Sequence, residues 1–229
     1  MIAERLAEVR RRIAEAAARA GRNPEAITLV AVSKGMSDDA VLAAHRAGQR
    51  VFGENRPEAL ARRLAGPLPD DLEWHLVGHV QRRKAKLALG AAMIESLDRL
   101  RLAETFVRLG VPLPPMLVEV NLAREPQKHG FDPDDLDEAL DRLVDLGLSI
   151  RGLMAIPPRP RRPEDSRPWF AMLADLAERL RSAHPELTEL SMGMTDDFEI
   201  AIEEGATIVR VGRAIFGPRP GVDEAPPAR

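Results

Sequence analysis

No cysteine and no tyrosine occurs in the 229 residues, and aromatic side chains make up 3% of them. Without cysteine there is no disulfide and no thiolate ligand for a metal, and the composition leans towards the cytoplasm. Without tyrosine no phenol is available as an acid or base. Lysine is scarce: of 33 basic residues four are lysine, namely Lys34, Lys84, Lys86 and Lys128. No apolar run approaches the ~20 residues that cross a bilayer. Met1 to Arg12 mixes acids and bases where a secretory signal has an apolar centre, so secretion is not expected. A net charge of −3 does not suit a polyanion binder, and neither nucleic acid nor membrane is an expected partner. What remains, 45% hydrophobic and 30% charged, is the composition of a globular protein.

Hydrophobic periodicity sets out the elements. Ile2, Leu6, Val9 and Ile13 recur at helical spacing, and Gly21 stops that helix. The run from Ile27 to Val32, followed by Ser33-Lys34-Gly35, is apolar and β-branched, as a buried parallel strand is. Further strands are predicted at 51–53, 72–77, 91–95, 116–121, 148–154, 188–191 and 207–211. Helices are predicted between them over 38–48, 57–65, 80–89, 100–109, 133–146, from 164 or later to 183, and over 196–204, with one more turn at 213–216. Residues 157–163, rich in proline and arginine, read as a mobile connection, and 218–229 as a disordered tail. Eight strands alternating with helices predict an α/β fold, a single (β/α)8 TIM barrel over 1–217 with an extra N-terminal helix. The rival is an open doubly wound sheet, but no G-x-G-x-x-G follows the first strand.

A barrel carries its chemistry at the C-terminal ends of its strands. Lys34 ends the first strand. Arginine supplies charge elsewhere in this chain but cannot act as a nucleophilic amine, so a lysine here calls for a reason beyond a capping charge. At the seventh and eighth strand ends, Ser191, Gly193 and Thr195 offer hydroxyls and open backbone, and Gly212-Arg213 starts a short turn whose N–H groups can meet an anion. Loops seven and eight plus a short helix are the recurring phosphate site of barrels, although Asp196 and Asp197 would repel a phosphate unless they cap the next helix facing away. Barrel closure sets strand eight against strand one. A lysine beside a phosphate cradle is what a Schiff base with pyridoxal 5′-phosphate (PLP) requires. Arg210, two residues before Gly212, is placed to reach the pyridine nitrogen.

Further stretches carry a resemblance. Val32-Ser33-Lys34, Phe52-Gly53-Glu54-Asn55, Trp74 to Gln81, Val120-Asn121 with Glu125, Lys128 and Gly130, Gly152 to Pro157, Leu190 to Asp197, and Val209 to Gly217 resemble, in order, the motifs of the pyridoxal phosphate homeostasis protein family. They extend from about residue 27 to 217. The resemblance implies a barrel like the N-terminal domain of bacterial alanine racemase, with PLP held as an aldimine on Lys34. It implies a role in vitamin B6 homeostasis, storing or delivering PLP, with other B6 vitamers and apo PLP-dependent enzymes as possible partners. It places Asn55 near the cofactor, Ser191 and Thr195 on the phosphate side, Arg210 near the ring nitrogen, and Gly212 and Arg213 as backbone phosphate donors. A monomer or weak dimer is expected. Arg56-Pro57 departs from the aromatic often found after Gly-Glu-Asn, and Arg83 from the asparagine often found before Lys84, which leaves Lys84 as a second PLP site unsupported.

No catalytic residue is assigned. A PLP enzyme of racemase or decarboxylase type is the alternative, but racemization needs proton donors on both faces, and the tyrosine used by alanine racemases is absent. A Schiff-base aldolase without PLP is a third reading. No metal site is expected: His75 and His79 fall on a strand and its following loop, with no third ligand close in sequence. His75 reads as an interior hydrogen-bonding residue and Trp74 as core. Met154, Met192 and Met194 could line a ring face or pack the core.

Overall fold

The structure, a computed structural model, describes residues 1–218. The expected disordered tail lies, from residue 219 onward, outside the described residues.

Eight parallel strands close into a barrel in sequence order. They are β1 (Thr28–Val32), β2 (Val51–Glu54), β3 (Glu73–Leu76), β4 (Met93–Leu97), β5 (Met116–Val120), β6 (Ile150–Ala155), β7 (Glu189–Ser191) and β8 (Ile208–Val211). The helices are α1 (Ile2–Arg19), α2 (Asp38–Arg46), α3 (Pro57–Ala65), α4 (Leu100–Val107), α5 (Leu136–Asp145), α6 (Arg167–Leu180), α7 (Phe198–Glu203) and α8 (Arg213–Phe216). Both faces of each strand are covered, which is why the strands read as near-continuous apolar runs.

Alternation along the strands sorts side chains into two layers. Val30, Val77, Leu117, Met154 and Ile208 fill the barrel interior. Leu29, Ala31, Phe52, Trp74, Val118, Leu153, Val209 and Val211 point outward and pack, with Leu6, Val9 and Ile13 of α1, into the layer beneath the helices. Each large apolar side chain buried there contributes about 1.5–3 kcal/mol. Trp74 is a core residue, as expected, its ring 5.5 Å from that of Phe52. Gly53 lines the interior, where a Cβ would fall 2.9 Å from Val30 Cγ1 and 3.2 Å from Val32 Cγ2 and crowd the packed valines.

Two elements depart from expectation. The predicted helix over 80–89 is a 3₁₀ segment, Arg82–Ala88. Its buried residues, Ala85 and Ala88, lie three apart, which suits three residues per turn and gives no wider apolar stripe for an α-helix to bury. The helix predicted over 196–204 starts at Phe198, because Asp197 is spent on the turn before it: its carboxylate accepts from Met194 N at 2.8 Å and from Ser166 Oγ at 2.7 Å. Among the described residues no helix is long and apolar enough to cross a membrane.

Candidate functional site

Lys34 stands one inward-facing position beyond Val32, at the mouth of the barrel, and is exposed. Its neighbours across the mouth follow from strand register. Val32 lies opposite Gly53, and Ser33 N donates to Gly53 O at 2.9 Å, which sets Asn55, two residues on, beside the lysine loop. On the other side Ala31 pairs with Val211, and a Cβ on Gly212 would fall 3.0 Å from Val32 O. Glycine at 212 therefore lets the start of α8 lie directly against β1 beneath Lys34.

The β7–α7 and β8–α8 connections meet. Ala214 N donates to Thr195 Oγ1 at 3.5 Å, and Arg213 Nη2 donates to both Asp196 oxygens at 2.5 and 2.7 Å. Gly193 has φ +87°, and a Cβ there would lie 2.5 Å from Ala201 Cβ, so the turn requires glycine. Of the two acids that open this connection, Asp197 is buried facing Ser166, whereas Asp196 is exposed and neutralised by Arg213.

Ser191 is placed otherwise than on a phosphate-facing surface. Its hydroxyl is fully buried, donates to Glu95 Oε2 at 2.5 Å and accepts from Arg210 Nη1. It belongs to a polar chain across the barrel interior: His75 Nδ1 bonds Glu95 Oε1 at 2.6 Å, and Arg210 Nη2 donates to Ala155 O at 3.0 Å. Strand seven is in phase with the interior at 191, so the side chain points inward, below the loop. Burial alone would raise the Glu95 carboxyl, but the bonded His75 ring, Arg210 and the Ser191 hydroxyl together hold it below the ordinary carboxylate range. Burial draws the Arg210 guanidinium below its ordinary value against the opposing pull of Glu95 and Glu119. Arg210 is thus a fixed cation inside the barrel, and His75 is the interior hydrogen-bonding residue that was expected.

Two features were missed in the sequence. Glu119, inward-facing on β5, has its carboxyl pushed up to about 7 by burial and by the charge of Asp98, with Arg210 opposing. No third ligand lies near His79 in sequence, yet the fold brings His79, Asp98 and His129 together, with one ligand atom of each within 4.8 Å of the others. Their loops follow β3, β4 and β5, so only barrel order brings them together. The methionines divide: Met154 is interior, Met192 is buried in the outer layer, and Met194 is 36% exposed. Lys84 is engaged by Glu58 of α3, and Lys128 by Glu125 at 2.5 Å. A shallow groove of about 610 Å³ lies elsewhere, lined by Gln81, Arg82, Arg83, Thr105 and Arg108 on the barrel's outer side, and has no amine nucleophile.

Comparison with known proteins identifies the family and the fold. The family model described as alanine racemase, N-terminal domain, matches residues 5–220. A pyridoxal phosphate homeostasis protein of Aquifex aeolicus is 39% identical over 222 residues, covering 94% of this chain and 97% of that one. Its counterpart in Escherichia coli K12 is 40% identical over 233 residues, covering 95% and 97%. The solved structure of PipY from Synechococcus elongatus with PLP bound is similar with a TM-score of 0.81 and 39% identity, covering 95% of this chain and all of that one.

Proposed function

The chain belongs to the pyridoxal phosphate homeostasis protein family, with the alanine racemase N-terminal domain fold, and from that premise we propose that it binds PLP through Lys34 and stores or delivers it. The observation that carries the reading is the seam β8–β1–β2, where Gly212 and Asn55 flank the lysine from the two adjacent strand ends. When bound, PLP supplies an aldehyde that condenses reversibly with a primary amine, and an electron-withdrawing ring.

The residues fit that group. Lys34 presents the amine. The Thr195 hydroxyl, which accepts from Ala214 N, and the main-chain N–H groups of Gly212 and Arg213 supply donors to a phosphate, and Gly212 keeps side-chain bulk out of the wall. Arg213 contributes through its backbone, since its guanidinium is paired with Asp196. Ser191 acts from beneath, by fixing Arg210. Arg210, held by Ser191, Glu95 and the Ala155 carbonyl, is the group we assign to the ring nitrogen. A permanent cation there leaves that nitrogen unprotonated and the ring a weak electron sink, which favours holding the cofactor over using it. The relatives are named as homeostasis proteins rather than as enzymes. The same reading carries a cytoplasmic setting, other B6 vitamers as competing ligands, and apo PLP-dependent enzymes as recipients.

Lys34→Ala is the decisive variant. Wild type with added PLP is expected to show a visible band that borohydride abolishes, leaving one covalent adduct by mass. The variant is expected to lose band and adduct while keeping its circular dichroism. A wild type that stays colourless, or a variant that keeps the adduct, sinks the assignment. The enzyme reading predicts repeated turnover of an L-amino acid by the loaded protein, seen as optical rotation or keto-acid.

A further inference from the structure

We propose a divalent-metal site at the rim of the barrel mouth, formed by His79, Asp98 and His129, for a transition ion of the zinc class. The three residues come from three successive connections, after β3, β4 and β5, on the far side of the mouth from the Lys34 seam. Among the described residues this is the one place where three such donors converge within 4.8 Å.

Asp98 organises the group. Its side chain is 1% exposed. Arg99 Nη1 holds Oδ1, and Arg99 is itself tied by Nη2 to Val80 O at 2.9 Å. The other oxygen, Oδ2, faces both rings: His79 Nδ1 lies 2.6 Å away and His129 Nδ1 3.8 Å away. A carboxylate with one oxygen anchored by an outer partner and the other presented inward is how ligating carboxylates are oriented. Two imidazoles and one carboxylate suit zinc and its neighbours, whereas calcium and magnesium prefer all-oxygen sets. Three protein ligands leave a fourth position for water or a solute.

Two features set the terms of binding. The rings stack with centroids 3.7 Å apart and an interplanar angle of 17°, so both lone pairs cannot aim at one point until a ring turns. His129 is the ring free to turn, being 56% exposed on a loop next to Gly130. Opposing the ion, Arg99 Nη1 lies 3.5 Å from His79 Nδ1 and lowers the affinity by charge repulsion. The competing arrangement is a plain His79–Asp98 hydrogen bond with His129 stacked upon it.

The test uses the full chain freed of metal by a chelator and freed of PLP, which makes it independent of the Lys34 reading. Co²⁺ is titrated and followed by its visible d–d absorption, and Zn²⁺ by calorimetry. One equivalent per chain is expected, with affinity at least about tenfold weaker in His129→Ala and in His79→Gln. His45→Ala, a histidine paired with Asp71 on the outer side, controls for casual surface binding and is expected to bind as wild type does. Absence of saturable binding overturns the site. So does wild-type affinity in both ring variants, or an equal loss in His45→Ala.

Discussion

Glu119 and Glu95 face the same barrel interior from neighbouring strands, yet their surroundings push them in opposite directions. Glu95 is bonded by His75 and Ser191 and lies 3.7 Å from Arg210. Its folded pKa is depressed, so the stability it contributes is present above its unfolded pKa and is lost as pH falls through the folded value. Glu119 receives no side-chain hydrogen bond from the described residues, and its carboxyl is raised to about 7, by burial first and then by Asp98. Here the folded state holds a proton that the unfolded chain has released, so stability falls as pH rises from the ordinary carboxylate range through about 7 and is level above it. The penalty reaches about 3 kcal/mol. Glu119→Gln is expected to recover most of it at pH 8 and to change little at pH 4.5, as read by urea unfolding with a chelator present. Equal stability of the two proteins at pH 8 would mean that the Glu119 carboxyl ionises without penalty.

Among the elements, the loop that carries Lys34 is held from behind by α3. Arg63 donates to Met36 O at 2.7 Å and Ser33 O at 3.4 Å, pairs with Asp38, and reaches the buried Glu54 at 3.2 Å. Ser33 Oγ donates to the same Glu54 oxygen at 3.0 Å. Arg63→Ala leaves Glu54 buried with the serine alone, a loss of about 3 kcal/mol in denaturant unfolding. It also frees the loop, so borohydride trapping of PLP at fixed concentration is expected to fall. Adding Glu54→Gln should restore stability but not trapping, since the tether to Met36 and Ser33 stays lost; recovery of both would make Arg63 a stability residue only. The elements were legible where burial on both faces wrote itself into apolar runs, as in 28–32 and 116–120, and where glycine marks a turn, as at Gly21. The segment 82–88 was not, because period three and period 3.6 differ little over so few residues. At the site, register from a closed barrel made the Lys34–Gly212 proximity readable. The inward phase of β7, which buries Ser191, needed one residue of register, and a strand of three residues does not fix it from sequence. The meeting of His79, Asp98 and His129 was illegible because three separate loops supply them.

For the whole molecule, the last βα unit supplies too little helix of its own to cover the barrel where it closes. α8 has four residues, a single turn, and cannot span the outer faces of β8 and β1. The eighth place in the helical ring is taken by α1, which packs between α7 and α8 on one side and α2 on the other. Arg12 bonds Glu199 at 2.6 Å, Arg19 bonds Glu203 at 2.8 Å, and Arg10 donates to Ala47 O and Gly48 O, so the helix is clamped to both flanks. Leu6, Val9 and Ile13 fill the layer over the closing strands. That same seam carries Gly212 against Val32 beneath Lys34. Cover of the closing strands and integrity of the proposed cofactor site are therefore one property. Leu6→Ala is expected to cost about 2–5 kcal/mol. Followed on heating, the PLP-dependent visible band and the far-ultraviolet dichroism should disappear together in that variant, at a lower temperature than in wild type. If the band were lost in an earlier, separate transition, the seam would open locally while the barrel stayed closed elsewhere. If the band outlasted the dichroism, Lys34 would hold PLP without the barrel around it, and the seam would have no part in the site.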